Sequence, residues 1–416
     1  MTRSREALLV AYRAFSDVAG KGAFFLVTVL AARVLSEQGF GIFSLGTTLG
    51  WMAAVVADFG IALHVAREVA RQKDHARQIL AFWLRARVAT SAAVLGMATV
   101  GILLTGAHPF SAALWLFVLV YIVSGLIEFF YYYFRGLSRS DLESTMTLWH
   151  RFGMLALAAA ALAWLPDVTM LALAMLLPAL ATLLFGVRFA FALSNEPAPN
   201  GVAPRQAFIT DVMPIGLGIV LSALYFRIDV FLVDLWKGIE AVAAYNAVFR
   251  LVEALRLFPA AVLAVMLPAL CRASNMKPLS MVALAVTGFA VAVSAILWTL
   301  AGQIVPLVYG QQYATAAPAF RILLLSFPLM SLNYALTHQL VGWNGQRAYA
   351  MIAGAALVFN VALNTQLIPA MSIDGAAWST LLTEALLTVG CIAALRRASG
   401  RLTGEPLQVT GVTVPS

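Results

Sequence analysis

Long apolar runs separated by short polar segments recur along the whole chain. Stretches almost free of charge are 92–104, 112–127, 154–165, 168–187, 281–301 and 351–363. A helix that crosses a bilayer needs about 20 mostly apolar residues, so this pattern predicts transmembrane helices. Their predicted positions are 13–34, 43–64, 79–104, 111–134, 147–165, 168–193, 212–235, 240–267, 280–301, 319–342, 347–368 and 373–395. We therefore expect an all-α polytopic membrane protein with about 12 transmembrane helices.

The charged residues are few, and they are divided between alternate loops. Of the 416 residues, 62% are hydrophobic and only 11% are charged, which leaves no solvated surface for a soluble fold. Lysine and arginine are concentrated in the loops at 3–13, 67–77, 135–139, 205, 272–277, 347 and 396–401. Because Lys/Arg-rich short loops stay in the cytoplasm, we predict cytoplasmic termini in a multi-pass protein of the bacterial inner (cytoplasmic) membrane. The same distribution explains the net charge of +8 without a nucleic-acid partner.

A segment rich in proline, glycine and asparagine divides the chain into two parts of nearly equal length, and this composition is typical of a linker. We predict an N-terminal six-helix lobe at 1–193, a cytoplasmic linker at 194–211, a C-terminal six-helix lobe at 212–399 and a disordered cytoplasmic tail at 400–416. The turns at 36–44 and 238–246 are similar, which indicates a repeat. With six helices in each lobe the repeat is parallel, and its pseudo-two-fold axis runs along the membrane normal.

Several predicted transmembrane helices contain ionisable side chains. An ionisable group inside a span costs at least about a few kcal/mol and is therefore a candidate functional residue. Asp17 and Lys21 lie one turn apart in the first helix, where they can pair. Together with Asp58 and Glu128, they are candidates for coupling transport to a proton or another ion. Desolvation raises the pKa of such a carboxylate and lets it cycle between two protonation states.

Arg227 and Arg250 are the strongest candidates for substrate binding. They lie on either side of a short turn, and counting along each helix places both about 13–18 Å below that turn, near the middle of the bilayer. Asp229, Glu253 and Arg256 complete the predicted site. Two interpretations stay open. The residues can form a closed ion-pair network that holds the helices together, or they can line a water-filled cavity that receives a phosphorylated headgroup, for which the planar guanidinium is suited.

Polar residues in two later helices also allow two interpretations. Asn333, His338, Asn360 and Asn364 can contact sugar hydroxyls, or they can bridge neighbouring helices. Nothing in the sequence is typical of a catalytic site. The five histidines lack metal-ligand spacing, and there is no Gly-Lys-Ser/Thr phosphate-binding loop. We therefore predict that the protein is not an enzyme and has no cofactor and no metal site.

Several segments resemble the polysaccharide transport family, which contains the O-antigen and exopolysaccharide repeat-unit flippases. They are RVLSEQGFGIFS at 33–44, DFG at 58–60, AREVAR at 66–71, RIDVFL at 227–232, YNAVFRLVE at 245–253, LVYG at 307–310 with Tyr313, and the stretch from Asn364 to DGAAW at 374–378. The resemblance covers about residues 10–395. Ser36 stands where the family often has glycine, a small change.

This family belongs to the multidrug/oligosaccharidyl-lipid/polysaccharide (MOP) exporter superfamily. Its fold is two six-helix lobes around a central cavity that opens alternately to each side of the membrane. The resemblance implies a flippase that moves an undecaprenyl-diphosphate-linked oligosaccharide from the cytoplasmic to the periplasmic leaflet. It also implies membrane lipid, a glycan polymerase and a chain-length regulator as partners. The alternative is an ion-coupled small-molecule antiporter of the multidrug type, which predicts an acidic cavity without arginines in the middle of the membrane.

Overall fold

The computed structural model describes residues 3–104, 111–193, 212–272, 277–343 and 345–404. These residues are almost entirely helical, because a segment in lipid must satisfy its backbone hydrogen bonds internally. The helices are α1 (Arg3–Val34), α2 (Glu37–Asp58), α3 (Ile61–Arg71), α4 (Ala76–Leu104), α5 (Ser111–Gly136), α6 (Ser140–Trp164), α7 (Val168–Leu193), α8 (Met213–Lys237), α9 (Ile239–Leu255), α10 (Leu257–Arg272), α11 (Lys277–Tyr309), α12 (Ala317–Gly342) and α13 (Gln346–Gly404).

Ten helical stretches in the described part of the chain are long and apolar enough to cross a membrane. The last of them, Gln346–Ser399, has 54 residues and contains two spans. They are separated at Ser372, where φ is 55° and ψ is −133°. Helices α9 and α10 together form a further span, because neither alone reaches the required length of about 20 residues. These additions bring the spans in the described residues to twelve, and the predicted fold class is confirmed.

The second span differs from the continuous helix predicted at 43–64. Helix α2 begins six residues earlier, at Glu37, because the Ser36 hydroxyl caps it by accepting a hydrogen bond of 3.0 Å from the Gly39 amide. It ends at Asp58, and the separate helix α3 follows.

Two consecutive residues of positive φ cause this interruption. Phe59 has a φ of 44° and Gly60 a φ of 82°, a conformation that glycine adopts without strain. The Asp58 carboxylate then accepts hydrogen bonds of 3.1 Å from the Gly60 amide and 3.2 Å from the Ala62 amide. Asp58 therefore satisfies amides at the start of α3 that have no partner within that helix.

Pro259 divides the eighth span. Proline has no amide hydrogen, and its ring clashes with the carbonyl four residues earlier, which here belongs to Leu255. Helix α9 accordingly ends at Leu255 and α10 begins at Leu257, with Arg256 between them. The single helix predicted at 240–267 is therefore two helices, and their junction lies beside the central cavity described below.

The helices form two lobes of six spans each. In the first lobe α1 packs on α6, α2 on α5, and α7 on both α5 and α6; in the second, α8 and α12 pack on α13, and α11 packs on α12. The lobes meet mainly where α2 contacts α8 and α9. The linker predicted at 194–211 lies outside the described residues, so the lobe boundaries stay predictions. Helix α13 continues to Gly404, into the tail predicted at 400–416, and the rest of that tail also lies outside the described residues.

Candidate functional site

A cavity of about 410 Å³ lies between the two lobes. It is lined by α1, α2, α5 and α6 of the first lobe and by α8, α9, α10 and α12 of the second. Its charged lining residues in the described part of the chain are Lys21, Arg151, Arg227, Arg250 and Arg256, which are cationic, and Glu253, which is anionic. Five positive charges against one negative charge leave a formal excess of four, so the cavity, which we call the cationic cavity, favours an anionic ligand.

Glu253 holds the two central arginines side by side. Its Oε1 lies 2.9 Å from Arg227 Nη2, and its Oε2 accepts a hydrogen bond of 2.7 Å from Arg250 Nη1. One carboxylate therefore serves two guanidinium groups. Arg250 Nε is buried, and no described residue accepts its hydrogen bond. Because an unsatisfied buried donor costs about 1–3 kcal/mol, this N–H group is poised to bind an incoming acceptor.

Helix α9 orients Arg227, whose side chain is only 3% exposed. Nη1 of Arg227 donates a hydrogen bond of 3.1 Å to Asn246 Oδ1. The guanidinium carbon lies 4.4 Å from the centre of the Phe249 ring, a cation–π contact. Asn246, Phe249 and Glu253 are spaced by three and four residues, so they share one face of α9. This face directs the arginine of α8 into the cationic cavity.

The structure brings together four of the five predicted binding residues. Arg256 lines the cavity as Arg227, Arg250 and Glu253 do, and its guanidinium carbon is 4.7 Å from the centre of the Phe226 ring. Asp229 occupies a different position. It is 2% exposed, it is not among the lining residues, and its carboxylate accepts hydrogen bonds from the Tyr245 hydroxyl and the Val230 amide.

Arg151 on α6 and Tyr121 on α5 also line the cavity, although neither was among the predicted site residues. The guanidinium carbon of Arg151 lies 5.9 Å from the centre of the Phe24 ring on α1. The sequence prediction started this helix at 147, which places Arg151 near the membrane surface. Because α6 begins at Ser140, Arg151 lies about 16 Å from that end, deep in the bundle. A helix start placed at Ser140 in the sequence would have put Arg151 deep in the bundle and so identified it as a candidate lining residue.

The ion-coupling candidates lie in three separate environments. Asp17 and Lys21 form the predicted pair on α1, with Lys21 Nζ 2.8 Å from Asp17 Oδ2, and Lys21 lines the cationic cavity. Asp58 lies 3.4 Å from Nε of the fully buried Arg87 on α4. Glu128 is exposed, and within the described residues it has no ion pair. The described residues contain no group of three or more His, Cys, Asp or Glu side chains that could hold a metal ion.

Contacts between the lobes close one end of the cavity. Arg33, at the end of α1, donates hydrogen bonds to the carbonyl oxygens of Leu307 and Val308 at the end of α11, the second at 2.8 Å. Gln312 Nε2 donates to the Ala32 carbonyl at 3.2 Å. We call this region the sealed end.

The two similar turns that predicted a repeat also meet at the sealed end. Gly41, in the first turn, packs so closely on Ile239, in the second, that an added Cβ would collide with the Ile239 carbonyl oxygen. The centre of the Phe40 ring lies 5.6 Å from that of the Tyr313 ring in an edge-on arrangement. Close packing and side-chain hydrogen bonds to backbone carbonyl oxygens therefore join the two lobes at this end.

Comparisons with known proteins support a transporter fold. The chain is 14% identical to a multidrug resistance MATE family transporter of the MOP superfamily in an inward-facing conformation, with a TM-score of 0.75 over 93% of this chain and 96% of that chain. It is 11% identical to the lipid II flippase MurJ in an inward closed conformation, with a TM-score of 0.76 over 94% of this chain and 89% of that chain. It is 16% identical to a MOP superfamily transporter from Pyrococcus furiosus, with a TM-score of 0.67 over 95% of each chain.

Among curated proteins, the comparison found no match to this chain. Because the sequence identities are low, the structural likenesses show the fold alone. The family assignment comes from the sequence itself: the family described as polysaccharide biosynthesis protein matches residues 10–274, which is more than half of the chain. The protein therefore belongs to the polysaccharide biosynthesis protein family, and its two-lobed membrane fold is that of the MOP superfamily transporters.

Proposed function

We propose that this protein is a flippase that moves an undecaprenyl-diphosphate-linked oligosaccharide repeat unit from the cytoplasmic to the periplasmic leaflet by alternating access. The observation that carries the proposal is the cationic cavity, with five cationic lining residues and one carboxylate. A diphosphate is anionic and offers several acceptor oxygens, which guanidinium groups bind bidentately. The family of the chain supports a glycan pathway. One protein of the same fold, MurJ, is described as a lipid II flippase.

The arrangement of charges suits a ligand that must bind and then leave. Glu253 partly neutralises Arg227 and Arg250, so the two cations can lie side by side. A diphosphate would add acceptors for Arg250 Nε and for the cations on the opposite lobe, Lys21 and Arg151. Because both lobes then contact one anion, binding draws on residues that move relative to each other during transport. The isoprenoid tail stays in lipid.

Alternating access requires the sealed end to open. The loops at this end contain Glu37 and Glu240 and few basic residues, whereas the opposite loops are rich in lysine and arginine. By the positive-inside rule, the sealed end is periplasmic, and the structure is closed toward the periplasm. We propose further that the exported unit passes to a glycan polymerase and a chain-length regulator, as the family resemblance implies.

The orientation can be tested with reporter fusions. Green fluorescent protein fused after Asn200 or Ser416 should fluoresce, and alkaline phosphatase at the same positions should be inactive, because both positions are cytoplasmic in the proposed topology. Fusions at Gly238, in the turn between α8 and α9, should give the opposite result and serve as the control. An active phosphatase at either of the first two positions would refute the proposed topology.

Glu128 is the best placed of the four ion-coupling candidates. Asp17, Lys21 and Asp58 each have an ionic partner within 4 Å, whereas Glu128 has none among the described residues. A carboxylate that forms no direct ion pair changes its protonation state at a lower cost than one that does. We therefore propose Glu128 as the group that couples flipping to a proton or another cation.

A binding experiment tests the proposed function directly. Purified protein in lipid nanodiscs should bind undecaprenyl diphosphate, and the Arg250→Gln variant should bind it about 10- to 100-fold more weakly, because a charge-assisted hydrogen bond contributes about 1.5–3 kcal/mol. Arg321→Gln is the matched control. Arg321 is also an arginine of a spanning helix, but it donates to the Trp298 carbonyl and stacks on the Trp298 ring outside the cavity.

The same experiment distinguishes the flippase from the multidrug-type antiporter. Ethidium, a lipophilic cation, should not bind to a cavity with a formal excess of four positive charges. Saturable binding of ethidium together with no binding of undecaprenyl diphosphate would overturn the flippase and support the antiporter.

A further inference from the structure

A second chamber of about 380 Å³ adjoins the cationic cavity. Its volume lies within the range of roughly 300–1,000 Å³ that is usual for ligand pockets. It is lined mainly by α8, α12 and α13 of the second lobe, and α2 of the first lobe closes one side. The two spaces are adjacent, because they share the lining residues Trp51, Phe226, Arg256, Met330 and Tyr334.

The wall of this second chamber is aromatic and polar. Its aromatic lining residues are Trp51, Tyr225, Phe226, Tyr334, His338 and Tyr349. Arg256 and Glu384 are the charged residues among its described lining, so it lacks the cationic excess of the neighbouring cavity. A sugar ring has apolar faces and polar edges. Aromatic side chains with polar tips match this surface, because their rings cover the faces while hydroxyl or imidazole groups bind the edges.

Polar groups in the chamber are available to a ligand. Within the described part of the chain, no hydrogen bond involves the hydroxyl of Tyr225 or of Tyr334. His338 Nδ1 lies 2.7 Å from the Tyr334 carbonyl oxygen, to which it can only donate. In the neutral imidazole this contact leaves Nε2 as an acceptor for a ligand hydroxyl.

Hydrogen bonds among the lining residues hold the wall in place. Asn333 Nδ2 donates to Glu384 Oε2 at 2.7 Å, which ties α12 to α13. The hydroxyl oxygens of Ser222 and Tyr349 are 2.8 Å apart, which ties α8 to α13. A preformed wall lowers the entropy cost of binding. Asn333 thus acts as a bridge between helices, one of the two interpretations left open by the sequence, and like His338 it also lines the chamber.

We propose that the second chamber binds the first sugar of the lipid-linked oligosaccharide, with the pyranose ring stacked on Tyr225 and a hydroxyl bound to His338. This inference rests on the proposed function, because a diphosphate in the cationic cavity would place the attached sugar beside Arg256, which lines both spaces. The cationic cavity then recognises the anion that all such lipids share, and the chamber recognises the carbohydrate.

The test compares two lipids on the purified full-length protein in nanodiscs: undecaprenyl diphosphate, and the same lipid carrying one N-acetylhexosamine. Tyr225→Leu and His338→Ala should each lower the affinity for the sugar-bearing lipid about tenfold and leave the affinity for the bare lipid unchanged. Tyr225→Phe keeps the ring and should lose less affinity for the sugar-bearing lipid than Tyr225→Leu. Phe359→Leu changes an exposed aromatic residue of α13 and should affect neither lipid.

The outcomes separate this inference from the proposed function. Unchanged affinity for the sugar-bearing lipid in folded Tyr225→Leu and His338→Ala, or an equal loss for both lipids, would overturn the chamber as a sugar site. Arg250→Gln should weaken the binding of both lipids to the same extent. If it does so while the chamber variants have no effect, the flippase stands and only the chamber inference fails. If Arg250→Gln weakens the binding of neither lipid, the proposed function itself fails.

Discussion

Glycan export is expected to fall at least about 100-fold when Arg227 and Arg250 are both replaced by glutamine. Each guanidinium contributes charge-assisted hydrogen bonds of about 1.5–3 kcal/mol to an anionic ligand, and every 1.4 kcal/mol corresponds to about tenfold in affinity. Glutamine keeps a similar length and removes the charge. The measurement is the amount of surface glycan, together with lipid-linked repeat units extracted from the membrane. These units should accumulate in the cytoplasmic leaflet.

Controls separate a lost ligand contact from a lost fold. The double variant leaves Glu253 buried without its two cations, so the yield of folded protein must be measured beside export. Adding Glu253→Gln removes this uncompensated charge and should restore the yield but not export. Arg250→Lys should export at an intermediate rate, because lysine keeps the charge and loses the bidentate fork. Full export by the double variant would show that these arginines form a structural ion-pair network.

The sequence was sufficient to place Arg227 and Arg250 at one depth. Helical rise is fixed at about 1.5 Å per residue, so distance from a shared turn can be counted. Rotation about the helix axis is also partly readable. Glu253 follows Arg250 by three residues and shares its face, whereas Asp229 follows Arg227 by two and points away from it. The second spacing already argued against Asp229 as a partner of Arg227. Its actual donor, Tyr245, lies on another helix, which local spacing cannot reveal.

Helix ends limited the rest of the prediction. Arg87 and Arg151 were not among the predicted functional residues, and the predicted helix starts at 79 and 147 came from the apolar run alone. The actual helices α4 and α6 begin earlier, at Ala76 and Ser140, in polar segments that become helical because tertiary packing covers them. The ionic partner of Arg87, Asp58, and the aromatic partner of Arg151, Phe24, lie on other helices. Apolar periodicity thus fixes the number of spans, but it does not show which polar residues meet between them.

The ion pair between Arg87 and Asp58 leads to the second prediction, which concerns stability. Replacing Arg87 by methionine should lower the free energy of unfolding by about 3–5 kcal/mol, the usual cost of removing one partner from a buried ion pair. Arg87 is fully buried, and its Nη1 also donates to Ser91 Oγ at 2.8 Å. The measurement is an SDS titration of purified protein in dodecyl maltoside micelles, followed by circular dichroism.

A second substitution shows whether the cost comes from the charge. Methionine fills much of the volume of the arginine side chain, so the main loss in Arg87→Met is an Asp58 carboxylate left without its cation. The double variant Asp58→Asn, Arg87→Met has no such charge and should recover most of the stability, since buried ion pairs are often replaceable by neutral residues. The Gly60 and Ala62 amides donate to different oxygens of the Asp58 carboxylate, so asparagine, which has one acceptor oxygen, keeps one of these two hydrogen bonds at the start of α3. A double variant as unstable as Arg87→Met would mean that packing of the arginine, and not its charge, joins α4 to α2.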